Sequence, residues 1–343
     1  MPERFGYVPC GAEVAYAEQD YYLWDGSVVF AEGRYHMFCS RWPKELGFGW
    51  NWLFNSEIVH AVADHPQGPY RFLRVVLPRR GREYFDGMNT HNACIRQYGG
   101  KFYLYYMGTT YGGNIPWRAE DISYDYAMET WNRKRIGVAV ADGIYGEFIR
   151  RDEPLLQSRG CSHWDCTVTT NPAPVILPSG KTYLLYKSRR SVGKPLQLGV
   201  AVADAPDGAF SRLCEGPVLT FGDENIHVED PFLWYDEPRK VFCLLAKDDS
   251  KAGKGITGEW GAGFYAESED CIRFTVARRP LAYSRRVRFA DGQAREQCNL
   301  ERPSLLFRGT EPCVLFNATG DGNAPYAFSG PTYILAQTLR REE

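Results

Sequence analysis

No apolar run in this sequence approaches the roughly 20 residues that cross a bilayer as a helix. The opening stretch, MPERFGYVPCGAEV, lacks the basic-then-apolar layout of a secretory leader. An excess of one charge is missing too: 40 Lys and Arg stand against 42 Asp and Glu, a formal net charge of −2. Without a broad basic field, nucleic acid is not expected as a partner, and neither is a membrane. The ten cysteines include no CxxC. Cys161 and Cys166 flank SHWD, but one such pair is too few ligands for a zinc site. Cys39, Cys94, Cys243 and Cys313 lie in apolar strand-like runs, where a thiol is a small buried hydrophobe. Free thiols fit a reducing compartment such as the cytoplasm; a leader already removed would place the chain in the periplasm or outside the cell. Long stretches of helical period are absent, and AEDISYDYAMETWNRKR is expected to make only a turn or two of helix inside a loop.

What the chain does have is aromatic residues and turn formers. Tyr, Phe and Trp make up 15% of it, beside 34 Gly and 21 Pro, which favours an all-β protein. Five segments repeat: WDGSVVFAEGRYHMFCS, HNACIRQYGGKFYLYYMG, TNPAPVILPSGKTYLLYKS, EDPFLWYDEPRKVFCLLAK and ERPSLLFRGTEPCVLFNAT. Each has a polar pair, a short apolar strand, a turn with Gly or Pro, and a second apolar strand. The anchors Asp25, Asn92, Asn171, Asp230 and Arg302 are separated by 67, 79, 59 and 72 residues. A second motif follows four of the segments: VHAVADHPQGPYRF, GVAVADGIYGEFIR, GVAVADAPDGAFSR and the weaker GFYAESEDCIRF, with PTYILAQTLR as the fifth copy. It reads as a third strand, a tight turn and a brief outer strand. The expected fold is a five-bladed β-propeller over residues 1–343, a single domain, each blade a four-stranded antiparallel sheet. A β-sandwich also gives short, regularly spaced strands, but the repeat favours the propeller.

In a propeller the first strand of every blade lines the axis, so the five polar pairs would converge on one mouth. The long loops between second and third strands surround the same mouth: RWPKELGFGWNWLFN, TTYGGNIPWRAEDISYDYAMETWNR, SRRSVGKPL and DDSKAGKGITGEWG. Extra length on one face of a rigid scaffold points to function there.

With these motifs the chain resembles the five-bladed propeller glycoside hydrolases, family 43 and relatives such as family 117. The resemblance implies that Asp25 in WDGS is a general base and Glu229 in VEDPF, with Pro231 two residues on, the general acid. A third carboxylate of the family falls on Asn171 in TNPAP, which cannot carry its charge. Asp165 or Asp230 would have to supply it, or the chemistry differs. Glycoside cleavage needs a proton for the leaving oxygen and a base for water. Two carboxyls about 6.5–9.5 Å apart suit inversion, the outcome expected here, and burial beside Asp230 would raise the proton affinity of Glu229.

Other candidates surround these. Asn92 and Asn171 can bind sugar hydroxyls or simply make turns, and Glu301 with Arg302 would form a pocket wall. His91, His163 and His227 accompany strand starts, His227 lying two residues before Glu229. Trp42, Trp50 and Trp52 crowd the first mouth loop, as a stacking platform for a sugar or as the loop's own plug. Arg41, Lys187, Arg189, Arg190, Lys247 and Lys254 occupy rim positions and hint at an anionic sugar, a uronate or a sulfated residue; solvated loop charge is the plainer account of most of them. The closed mouth favours exo action on a terminal sugar of an oligo- or polysaccharide. A uronate-directed lyase using His or Tyr as base, and a non-catalytic carbohydrate-binding propeller, are the alternatives. A WD40-type scaffold is disfavoured by blade length. No cofactor is required; an axial calcium or zinc ion is conceivable, but no cluster in the sequence is specific for one.

Overall fold

The first strand of the chain, β1 (Tyr7–Ala17), belongs to its last sheet. The computed structural model describes residues 2–250, 254–322 and 324–342, so residues 251–253 of the fourth mouth loop lie outside the described residues. Blade one is β2 (Tyr21–Ala31), β3 (Arg34–Pro43), β4 (Glu57–Ala63) and β5 (Arg71–Leu77). Blade two is β6 (Asn89–Tyr98), β7 (Lys101–Thr109), β8 (Arg135–Ala141) and β9 (Ile149–Arg150). Blade three is β10 (Thr170–Ile176), β11 (Thr182–Ser188), β12 (Gln197–Ala203) and β13 (Ser211–Arg212). Blade four is β14 (Val228–Asp236), β15 (Val241–Asp248), β16 (Gly263–Ser268) and β17 (Thr275–Tyr283). A hairpin, β18 (Arg286–Arg288) and β19 (Ala294–Glu296), precedes blade five, which is β20 (Glu301–Arg308), β21 (Glu311–Gly322) and β22 (Phe328–Arg341). Its outer strand is β1, paired antiparallel from Tyr7 opposite Arg341 to Ala17 opposite Tyr333. The two ends of the chain thus close the ring, and each blade has the four antiparallel strands expected.

Each junction between neighbouring blades has its own apolar core. Phe38 and Leu104 share the first, Tyr105 and Leu184 the second, Leu185 and Leu244 the third. Leu245 and Leu315 share the fourth, and Phe316 and Met37 close the circle. Consecutive residues of a second strand therefore face different neighbours. That is why these strands read as unbroken apolar runs rather than alternating ones: both faces are buried.

The GVAVAD motif has a packing reason. Gly137 opens it in β8 and Gly199 in β12; a Cβ there would lie 2.6 Å from the Tyr106 ring and 2.5 Å from the Tyr186 ring. Each tyrosine hydroxyl then reaches a buried aspartate, Tyr106 to Asp86 (2.6 Å) and Tyr186 to Asp165 (2.8 Å). Two arginines complete each latch: Arg80 and Arg150 on Asp86, Arg159 and Arg212 on Asp165. Arg150 and Arg212 come from the two-residue outer strands β9 and β13, which gain little from their own ladder pairing. Asp165→Asn is expected to lower unfolding stability by about 2–3 kcal/mol, because Arg212 loses its counter-charge and Arg159 keeps only the exposed Glu215. Urea denaturation checks this; a change under about 0.5 kcal/mol would show that the latch is dispensable.

The first two mouth loops carry the helices. α1 (Asn51–Asn55) and α2 (Tyr124–Asn132) pack through Leu53, Phe54, Tyr111, Ala127 and Trp131 into a small core above the blades. Ser123 caps α2, its hydroxyl accepting from the Tyr126 amide at 3.2 Å. No helix among the described residues is long and apolar enough to cross a membrane.

Candidate active site

All five anchors have left-handed backbone: φ is 69° at Asp25, 57° at Asn92, 52° at Asn171, 51° at Asp230 and 53° at Arg302. Each sits at a register shift in the pairing of the first and second strands. A regular strand would send adjacent side chains to opposite faces; the bulge with a left-handed residue turns both members of a pair toward the axis. His91 with Asn92, Glu229 with Asp230 and Glu301 with Arg302 consequently line one cavity of about 490 Å³. Asn and Asp tolerate this backbone well, whereas Arg302 is held there by what it binds.

The anchors join across blades. The Asn92 amide and side chain donate to Asp25 at 2.8 and 3.1 Å, and Thr170 donates to Asn92 at 3.3 Å. Asn171 donates to Asp230, the Arg302 amide donates to Asp230 at 3.0 Å, and the Arg302 Nε reaches Asp25 at 3.0 Å. Ser40 also donates to Asp25. Asp25 is thus 1% exposed with both oxygens engaged twice, and it is not among the side chains lining the cavity. Burial opposes its charge, but His91, Arg302 and these donors keep its carboxyl below the usual range. The sequence places Asp25 at the axis as a base; the structure brings it there with its acceptor sites filled.

Above the ring lies a cluster of three carboxylates and two lysines. Lys187 Nζ is 2.8 Å from Glu229, and Lys247 Nζ is 2.6 Å from Glu301, 2.9 Å from Asp249 and 3.8 Å from Glu229. The Tyr326 hydroxyl donates to the same Glu301 oxygen at 2.8 Å. Three acids therefore face two ammonium groups, and their proton affinities depend on one another. Burial pushes Glu229 up, but Lys187 and Lys247 outweigh it and hold it at about 2. Burial pushes Glu301 up to about 7; Lys247 opposes, while Asp230 and Glu229 add to the rise. Burial likewise raises Asp249. His91 accepts from or donates to Ser56 at 2.9 Å, and burial lowers it to about 4 despite Asp25, so it is neutral at pH 7.

Aromatic rings form the wall: Trp24, Trp42, Phe48, Trp50, Trp52, Trp131 and Tyr326. The tryptophans of the first mouth loop therefore face the cavity as a platform would. Lys187, His91, Asn92, Asn171, Glu301 and Arg302 line it as well, while Lys247 is fully buried against Glu301 and Asp249. Other expected residues do not. Arg41 turns outward to Glu18 (2.8 Å) and Glu57 (3.0 Å), stacked on Tyr21 and Phe72. His227 accepts from the Leu196 amide outside the cavity, and His163 lies near Glu215 on the surface. Arg190 and Lys254 are exposed and outside the lining. Asp165 is the blade-three latch, so of the two aspartates able to replace the charge missing at Asn171, Asp230 is the one at the axis. Sequence reasoning passed over Trp24, Phe48, Trp131, Lys134, Asp249 and Tyr326; only Trp24, beside an anchor, carries a positional signal.

Glu229, Asp230 and Glu301 bring one oxygen each within 4.8 Å of one another, the one such group among the described residues. Each is already paired with Lys187, Arg302 or Lys247. Calcium or zinc would have to displace these ammonium and guanidinium groups to reach the three carboxylates.

Neither the protein-family models nor the curated proteins contain a match to the sequence. Solved structures do match. Zg3597, a family 117 glycoside hydrolase of the marine bacterium Zobellia galactanivorans, superposes with a TM-score of 0.65 at 17% identity, over 98% of this chain and 90% of that one. A thermostable family 43 glycoside hydrolase gives 0.61 at 15% identity, over 94% and 91%. The family 43 enzyme of Xanthomonas citri gives 0.59 at 16% identity, over 96% and 89%. This is the fold of the family 43 and 117 glycoside hydrolases. The likeness covers nearly the whole chain and leaves the chemistry to be argued from the cavity.

Proposed function

We propose that the axial cavity hydrolyses the bond to a terminal sugar, Glu301 donating a proton to the leaving oxygen and Glu229 acting as the anionic carboxylate at the anomeric carbon. The observation that carries this is one aromatic-walled cavity holding two glutamates whose surroundings drive their proton affinities apart, about 2 for Glu229 and about 7 for Glu301. Such a pair sorts itself into an ionised partner and an acid at neutral pH. The resemblance to family 43 assigns the acid to Glu229 and the base to Asp25. The ammonium of Lys187 on Glu229 and the filled acceptor sites of Asp25 support the different division made here. On this reading Asp25 shapes the site by positioning Asn92 and Arg302.

The cavity volume suits a compact ligand, and mouth loops bearing α1 and α2 close round it, which supports exo action. Indole faces offer stacking for the C–H faces of a sugar ring. A panel of aryl glycosides and plant or algal oligosaccharides tests the reading. Glu229→Ala is expected to lose at least ~10³-fold in kcat and to be rescued by azide, which takes the place of the missing carboxylate. Full activity in that variant would overturn the assignment.

A further inference from the structure

Two lysines line the cavity, Lys134 and Lys187, and Lys134 is the one with no partner in the carboxylate cluster. It follows α2 and directly precedes β8, and it is 2% exposed. Among the described residues no carboxylate lies within salt-bridge distance of its ammonium, whereas Lys187 pairs with Glu229 and Lys247 with Glu301, Asp249 and Glu229. Its nearest companions are rings: Nζ is 3.7 Å from the centre of Trp131 and 5.2 Å from that of Trp52. Arg189 stacks on the same Trp131 at 3.9 Å and also lacks a carboxylate partner among the described residues, its guanidinium meeting the Met128 sulfur. The mouth is therefore asymmetric. One side pairs its cations with Glu229, Asp249 and Glu301; the side formed by Trp131 holds two without counter-ions.

A buried cation that touches indole faces but no carboxylate is costly unless an anion completes it. We infer that Lys134 anchors an anionic group on the bound sugar, a carboxylate or a sulfate, so that the substrate is an acidic saccharide. This rests on the reading of the cavity as a glycosidase site and names its substrate class. A neutral sugar would leave Lys134 unpaired, while a uronate or a sulfated ring oriented toward Trp131 closes the pair and adds stacking. Burial, with Lys187 and Arg189 reinforcing it and Glu229 and Asp230 opposing, holds the free amine well below its ordinary range. Neutral His91 adds no charge at pH 7.

Isothermal titration calorimetry with D-galacturonate, D-glucuronate, galactose 6-sulfate, D-galactose and D-glucose tests this on wild type, Lys134→Met and Lys134→Arg. Wild type is expected to bind at least one acidic sugar ~10-fold or more tighter than its neutral parent. The uronate and sulfate arms tell which anion is taken. Lys134→Met abolishes the preference and Lys134→Arg keeps it; should the Met variant not fold, the wild-type selectivity and the Arg variant still decide. Equal or tighter binding of the neutral sugars by wild type, or an undiminished preference in Lys134→Met, overturns the inference. Hydrolysis of neutral glycosides without acidic preference would sink it and leave the glycosidase reading standing. Acidic preference without turnover of any uronide would do the reverse, and no binding of any of the five sugars would end both.

Discussion

Glu301→Gln is expected to lower kcat on a saccharide with a poor leaving group by about 10²–10⁴-fold, the range lost with a general acid. On a dinitrophenyl glycoside, whose leaving oxygen needs no proton, the loss should shrink to less than about tenfold in the glycosylation step. The glutamine preserves shape, and its carbonyl can still accept from Lys247 and Tyr326, so folding is not at issue. The pH profile carries the same information. Wild type needs Glu301 protonated, so kcat is flat at acid pH and falls about tenfold per unit once pH rises through about 7. Glu229, held at about 2, stays ionised throughout, and His91 at about 4 adds no limb near neutrality. A variant lacking the carboxyl should lose the alkaline limb. A residual limb at the same position would move the acid elsewhere in the cluster, with Asp249 the nearest alternative.

Arg302→Met is expected to cost about 3–5 kcal/mol of folding stability, the magnitude found when one member of a buried charge network is removed. Arg302 is 7% exposed and is the cation that joins Asp25 (3.0 Å) to Asp230 (3.7 Å), closing the axial ring between the first and fourth blades. Without it two buried carboxylates keep only amide and hydroxyl donors. Denaturant unfolding measures the loss. The double variant with Asp25→Asn should recover part of it, because one orphaned charge is then gone. A loss below about 1 kcal/mol would mean that the ring is an ornament of the fold and not its axial tie.

Much of this architecture is legible in the sequence because a propeller repeats its physics. Five polar pairs ahead of apolar strands marked the axis, and strands buried on both faces gave unbroken apolar runs. The closing strand was not legible, since YVPCGAEVAYA has no local partner and pairs with residues more than 300 positions away. Nor was the facing of each polar pair, which depends on a left-handed residue at a bulge; period-two reasoning sends one member of Glu229 and Asp230 away from the axis. Asp165 was misleading for a reason that was available. It lies 79 residues after Asp86, the same interval as between Asn92 and Asn171, so it is a repeated latch and not a lone acid. The rim cations divide by partners from other strands: Arg41 is captured by Glu18 and Glu57, while Lys134, next to an ordinary strand motif, is left facing the cavity. Such distinctions arise only when distant segments are packed together.

The most direct measurement is the anomeric configuration of the first sugar released, followed by proton NMR before mutarotation. The nearest oxygens of Glu229 and Glu301 lie within 4.8 Å, closer than the roughly 6.5–9.5 Å that leaves room for water between them. The pair therefore predicts retention through a glycosyl intermediate on Glu229. Release of the inverted anomer would contradict it and return the reaction to a water activated from the far side of the sugar.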